Sequence, residues 1–112
     1  MNIIITDTFK KDFLKIFKWK NDIFLFSKEL RKTRFINLKN PFQKYKLTFS
    51  WISIRWILLL NIANNCIPLY VVKKSNKKYW MNLVLDKELE KILENKYFKI
   101  KEDINNDDFE IY

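Results

Sequence analysis

Apolar residues recur along this chain with two different periods, and the points where the period changes mark its elements. Ile3-Ile4-Ile5 fits a short opening strand. Asp7 or Thr8 then caps a helix in which Phe9, Phe13, Ile16 and Phe17 fall at i, i+4, i+7 and i+8, a single apolar stripe. Lys10, Lys11, Lys15 and Lys18 take other positions of that helix. Asn21 or Asp22 caps a second helix, with Ile23, Phe26 and Leu30 on its buried side, and so short a connection predicts an antiparallel helical hairpin. Asn40-Pro41 breaks the chain ahead of three strands at about 43–49, 53–63 and 67–73. Asn64-Asn65 serves as a hairpin turn, because Asn tolerates the positive φ that a chain without Gly cannot give to glycine. Ser75-Asn76 marks a further turn and 79–84 a short extended piece. A last helix follows over 86–96, with Leu85, Leu89, Ile92 and Leu93 in one stripe and Asp86 at the positive end of its dipole. The order β-α-α-β-β-β-α predicts an α+β fold: a helical hairpin and a C-terminal helix packed on one face of a small antiparallel sheet.

Composition bounds this picture. A length of 112 residues suits one domain, and 48% apolar with 17% aromatic residues is enough to fill its core. Charge divides the chain more sharply than the overall +9 implies. Residues 1–101 hold all 22 basic residues against 8 acids, whereas 102–112 hold five acids and no base. The expected organisation is one domain over 1–101 and an acidic tail over 102–112. That tail reads either as a solubilising segment without fixed structure or as a strap folded back over the basic groove when no partner is present. A lone Cys66 and the absence of His remove disulfides, cysteine-rich zinc sites and His-based triads, so neither a metal nor a cofactor is expected. The apolar stretch 47–63 has Arg55 at its centre and is rich in Ile, Trp and Phe, which argues for strands rather than a membrane span. The opening residues are too short for a signal-peptide core, and the expected location is cytoplasmic.

Lys outnumbers Arg 19 to 3, so the placement of cations carries more information than their total. From residue 31 to 84 there are eleven Lys and Arg residues and no acid. A sheet region charged with one sign only suits a polyanion such as a phosphodiester backbone. Alternation puts Lys44, Lys46 and Thr48 on one face of their strand, and Tyr45, Leu47 and Phe49 on the other. In the next strand Ile54, Trp56, Leu58 and Leu60 form the core row. Ser53, Arg55, Ile57 and Leu59 then form the outer one, and hairpin pairing would bring Arg55 beside Lys46. Lys73, Lys74, Lys77 and Lys78 follow, and then Tyr79 and Trp80. Lysines and a ring around a floor of Lys46 and Arg55 have the parts to hold single-stranded RNA. The plainer alternatives are an edge-protecting Lys46, an Arg55 paired with the acidic tail, and an ordinary solvated turn at 73–78.

Over roughly residues 2–96, this arrangement resembles the RelE/ParE family of toxins from bacterial type II toxin–antitoxin modules. The sharpest local piece is Tyr45-Lys46-Leu47, followed nine residues after Lys46 by Arg55 and the apolar run Trp56-Ile57-Leu58. In the RelE branch the matching strand positions carry a Lys and an Arg that hold the scissile phosphate, and a further Lys stands where this chain has Thr48. Lys73 or Lys74 and Tyr79 or Trp80 stand for the family's later basic and aromatic residues. The resemblance implies a metal-independent mRNA endoribonuclease, acting on the ribosome or on free RNA and neutralised by an antitoxin. It would have Arg55 clamping the phosphorane, Lys46 as base, and Lys74 and Tyr79 as the other catalytic candidates. Lys44, Thr48, Lys73, Lys77, Lys78 and Trp80 would line the RNA. The ParE branch inhibits DNA gyrase instead, and a basic RNA- or DNA-binding module without toxicity is the remaining alternative.

Overall fold

The computed structural model of the protein describes residues 2–16, 20–31, 35–39, 42–46, 54–73, 75 and 85–112; Ile16, Lys20, Asn21, Asp22, Lys39, Lys46, Ile54 and Arg55 are described by backbone alone. In chain order the elements are β1 (Asn2–Thr6), α1 (Asp7–Ile16), α2 (Lys20–Arg31), β2 (Ile36–Lys39), β3 (Phe42–Lys46), β4 (Ile54–Ile62), β5 (Asn65–Lys73), α3 (Lys87–Asn105) and β6 (Phe109–Ile111). The strands form one mixed, mostly antiparallel sheet in the order β2-β3-β4-β5-β1-β6, with β1 parallel to β5. The α+β class read from the pattern therefore holds.

The helices do not share one face. Ile57 and Leu59 of β4 pack with Phe9 and Phe13 of α1 and with Ile23, Phe26 and Leu30 of α2. Trp56, Leu58 and Leu60, the alternate residues, pack with Leu89, Leu93 and Ile100 of α3 on the opposite side. Five consecutive residues, Trp56 to Leu60, are thus buried, and the sheet is a middle layer between helices. This corrects the one-face expectation: an unbroken apolar run signals burial on both sides, whereas a solvated face would require a polar residue at every second position. Among the aromatics, the Phe26 ring lies 5.1 Å from Phe13 and 5.8 Å from Phe9, and these contacts join α1 to α2.

Thr6, not Asp7 or Thr8, caps α1, since its buried hydroxyl accepts the Phe9 N–H. The Thr8 N–H is taken by Asp103 from α3, at 2.8 Å. Similarly, α2 already begins at Lys20, so Asn21 and Asp22 lie inside it rather than ahead of it. A strand absent from the expected order, β2, pairs antiparallel with β3. The sheet therefore begins ahead of Asn40-Pro41, not after it, and those two residues lie outside the described ones. The β4–β5 turn falls one residue earlier than expected. Ala63 and Asn64 hold positive φ of 48° and 65°, while Asn65 is already in β5.

The C-terminal part differs most from expectation. α3 is capped by Asp86, whose carboxylate accepts the Leu89 N–H at 2.8 Å, and it runs to Asn105 instead of ending near 96. Ile100 and Ile104 continue the stripe of Leu89 and Leu93, which keeps the helix on the sheet. After a positive φ at Asp107 the chain returns as β6 along β1, pairing Ile4 with Ile111 and Thr6 with Phe109. Residues 102–112 are therefore neither a loose tail nor a strap over the basic end. They complete a helix and an edge strand, held by Lys10–Glu110 at 3.1 Å and by the Tyr112 hydroxyl donating to Glu110. The stretch 47–63 contains the strand β4, and among the described residues no helix is long and apolar enough to cross a membrane.

Candidate functional site

Strand register determines which basic residues share one end of the sheet. Lys46 stands opposite Trp56, and Trp56 opposite Val72. Two residues earlier on β4, Ile54 is opposite Lys73, so β4 has two steps where β5 has one. The inserted residue is Arg55, which makes it the centre of a β-bulge. Three adjacent strands therefore bring the backbones of Lys46, Arg55 and Lys73 to the same end of the sheet. With strands spaced ~4.8 Å apart, the row spans about 10 Å.

This geometry departs from the expected groove in two respects. Lys46 is paired with Trp56 and is offset from Arg55 by one residue, so the two are diagonal and not directly opposite. The row that includes Ile57 and Leu59 is buried rather than outward-facing, so the backbones of Lys46 and Arg55 lie at the end of a covered sheet and not on the floor of an open face. Bulges are common at such sites because they re-aim one position against the regular pleat.

Lys44 is half-buried, and its ammonium lies 5.0 Å above the Trp56 ring, a cation–π contact on the side covered by α3. This engages Lys44 with the core layer under α3. Lys73 is exposed. Thr48, Lys74, Lys77, Lys78, Tyr79 and Trp80 lie outside the described residues.

Beyond Lys73 the sheet opens into a cleft. Among the described residues β1 pairs with β5 only at Asn65 and Cys66, and no described strand lies along the far half of that β5 edge. There α1, α3 and β5 converge on a cavity of about 470 Å³ lined by Asp12, Lys15, Tyr70, Lys73, Ser75 and Lys96. Asp12 and Lys96 form an ion pair across α1 and α3. Lys15 and Lys73 have no acidic partner among the described residues, so the cleft is positive overall. The sequence pattern places Lys15 only among the polar positions of α1 and does not single out Asp12, Tyr70 or Lys96. Periodicity places each on its own element, but only the short β1–β5 pairing shows that they meet.

Other perturbed groups are structural. Burial pushes the Cys66 thiol up to about 12 and leaves it unreactive. Tyr45 is raised by burial and then by Glu29, and Tyr112 by burial and then by its bond to Glu110. Among the described residues no cluster of His, Cys, Asp and Glu has the form of a metal site. No family model, curated protein or solved structure matches the chain.

Proposed function

We propose that the protein is a toxin of a type II toxin–antitoxin module, an mRNA endoribonuclease of the RelE/ParE kind that works in the cytoplasm and is neutralised by an antitoxin. The observation that carries this reading is the bulge at Arg55, whose backbone lies between those of Lys46 on β3 and Lys73 on β5 at one end of the sheet. Three cations in a row suit a phosphodiester whose charge rises during in-line attack. In the proposed reaction the unprotonated amine form of Lys46 takes the proton of the ribose 2′-OH, whose oxygen attacks the adjacent phosphorus. Arg55 and Lys73 stabilise the five-coordinate phosphorane. The 5′-oxygen then leaves with a proton from Lys74 or Tyr79, and the upstream fragment ends in a 2′,3′-cyclic phosphate. Thr48, where the family has a second Lys, favours as second reading a protein that holds nucleic acid or blocks gyrase without cutting.

Induced expression in a bacterial host, wild type against Arg55→Ala, tests the proposal through growth and primer extension on bulk mRNA. Arrest with new mRNA ends, both lost in the variant, is the expected result. Arrest without new ends would move the target to gyrase or elsewhere. Normal growth with soluble, folded protein would leave a basic binding module.

A further inference from the structure

We propose that the cleft between α1, α3 and the end of β5 is a nucleotide subsite, taking the RNA residue next to the phosphate held by the Lys46–Arg55–Lys73 row. The inference rests on the RNA-binding reading above and extends it to a region that reading does not use.

Continuity is the first argument. Lys73 belongs to both places: it is opposite Ile54 at the bulge, and it lines the cleft. A strand laid across β3, β4 and β5 meets the cleft as it passes the β5 edge, because β1 has already left β5 after Cys66. Size is the second. A volume of about 470 Å³ lies within the usual range of roughly 300–1,000 Å³ for small-molecule sites. The third argument is chemical. Lys15 and Lys73 offer ammonium groups to a phosphate, the half-buried Tyr70 offers a ring for a base, and Ser75 is a hydroxyl able to donate or accept. Cations joined to an aromatic ring are the combination that holds single-stranded nucleic acid. Asp12 does not cancel this charge, since Lys96 already pairs with it and the two join α1 to α3 along the cleft.

The test uses the full chain and two fluorescein-labelled 2′-O-methyl RNAs, a hexanucleotide and a trinucleotide, which bind without being cut. Lys15→Glu and Ser75→Glu place a negative charge in the cleft from exposed positions, and Lys101→Glu makes the same change as Lys15→Glu on an exposed part of α3 that does not line the cleft. Fluorescence anisotropy should show the hexanucleotide weakened about tenfold or more by each cleft variant and about twofold or less by Lys101→Glu. The trinucleotide, short enough to occupy the row alone, should lose about twofold or less in every variant. A 5-iodouridine placed beside the row-bound phosphate should cross-link to the peptide containing Tyr70. If wild type binds the hexanucleotide but both cleft variants behave like Lys101→Glu, the subsite is overturned and RNA binding stands. Should the wild type bind neither RNA, both readings fall together.

Discussion

Replacing Lys73 by Ala tests the charge row by its salt dependence, which a structural role for this lysine would not alter. Lys73 is exposed at the end of β5, and its removal opens no cavity in the core. For single-stranded nucleic acid the logarithm of affinity falls with the logarithm of salt at a slope of about −0.7 per neutralised phosphate. If Lys46, Arg55 and Lys73 each neutralise one, the wild-type slope is about −2.1, and raising salt from ~50 to ~200 mM weakens binding roughly 20-fold. Lys73→Ala should have a slope of about −1.4 and lose only about sevenfold over the same range. The assay is anisotropy of a labelled 2′-O-methyl oligonucleotide at four or five salt concentrations, with circular dichroism to verify folding. Equal slopes for a folded variant and wild type would refute the assignment of Lys73 to a phosphate, even if absolute affinity fell.

Three further outcomes check the fold that positions this site. Ala63→Gly should raise the melting temperature by a few degrees: an L-residue at φ 48° costs about 1 kcal/mol, partly offset by glycine's unfolded-state entropy, and 1 kcal/mol corresponds to about 4 °C at this size. Removing residues 107–112 should lower it by about 10 °C or more, because β1 loses β6 and at least the Ile3–Tyr112 and Asp7–Asp108 backbone bonds; an unchanged melting curve would mean that β6 contributes nothing. Cys66 predicts a pH effect of definite sign. Its thiol has a higher pKa folded than unfolded, so the associated stability is complete below about pH 9 and is lost as pH rises toward about 12, by at most about 4 kcal/mol. Denaturant titrations should therefore show wild type losing more stability than Cys66→Ala across that window, and parallel curves would count against the buried thiol.

The elements read best from sequence were those whose period is local. Phe9 and Phe13 marked α1, Ile23, Phe26 and Leu30 marked α2, and all five side chains are buried. β4 is legible as a strand, but alternation mistakes its environment, because no polar residue interrupts Trp56 to Leu60 and both faces are covered. The full length of α3 is hidden in the sequence, since the charges around Ile100 and Ile104 resemble a tail and only the pairing of Phe109–Ile111 with β1 shows otherwise. β2 was missed because Asn40-Pro41 reads equally well as a break or as a hairpin connection. For the site, sequence supplied the cations and not their neighbours. The bulge at Arg55 depends on pairing with β5, and the cleft depends on β1 leaving β5 after two residues. Neither leaves a mark in local composition.

The most direct test of the ribonuclease account is the chemistry of the RNA ends. Purified protein, alone and with translating ribosomes, would be incubated with 5′-labelled mRNA without divalent metal beyond what the ribosomes require. Its fragments would be resolved before and after acid opening of cyclic phosphates and phosphatase treatment. The account predicts discrete fragments ending in a 2′,3′-cyclic phosphate, absent with Arg55→Ala and strongly reduced with Lys46→Ala. Intact mRNA under both conditions, from folded protein that still binds the RNA, would contradict cleavage and leave the cation row as a binding surface.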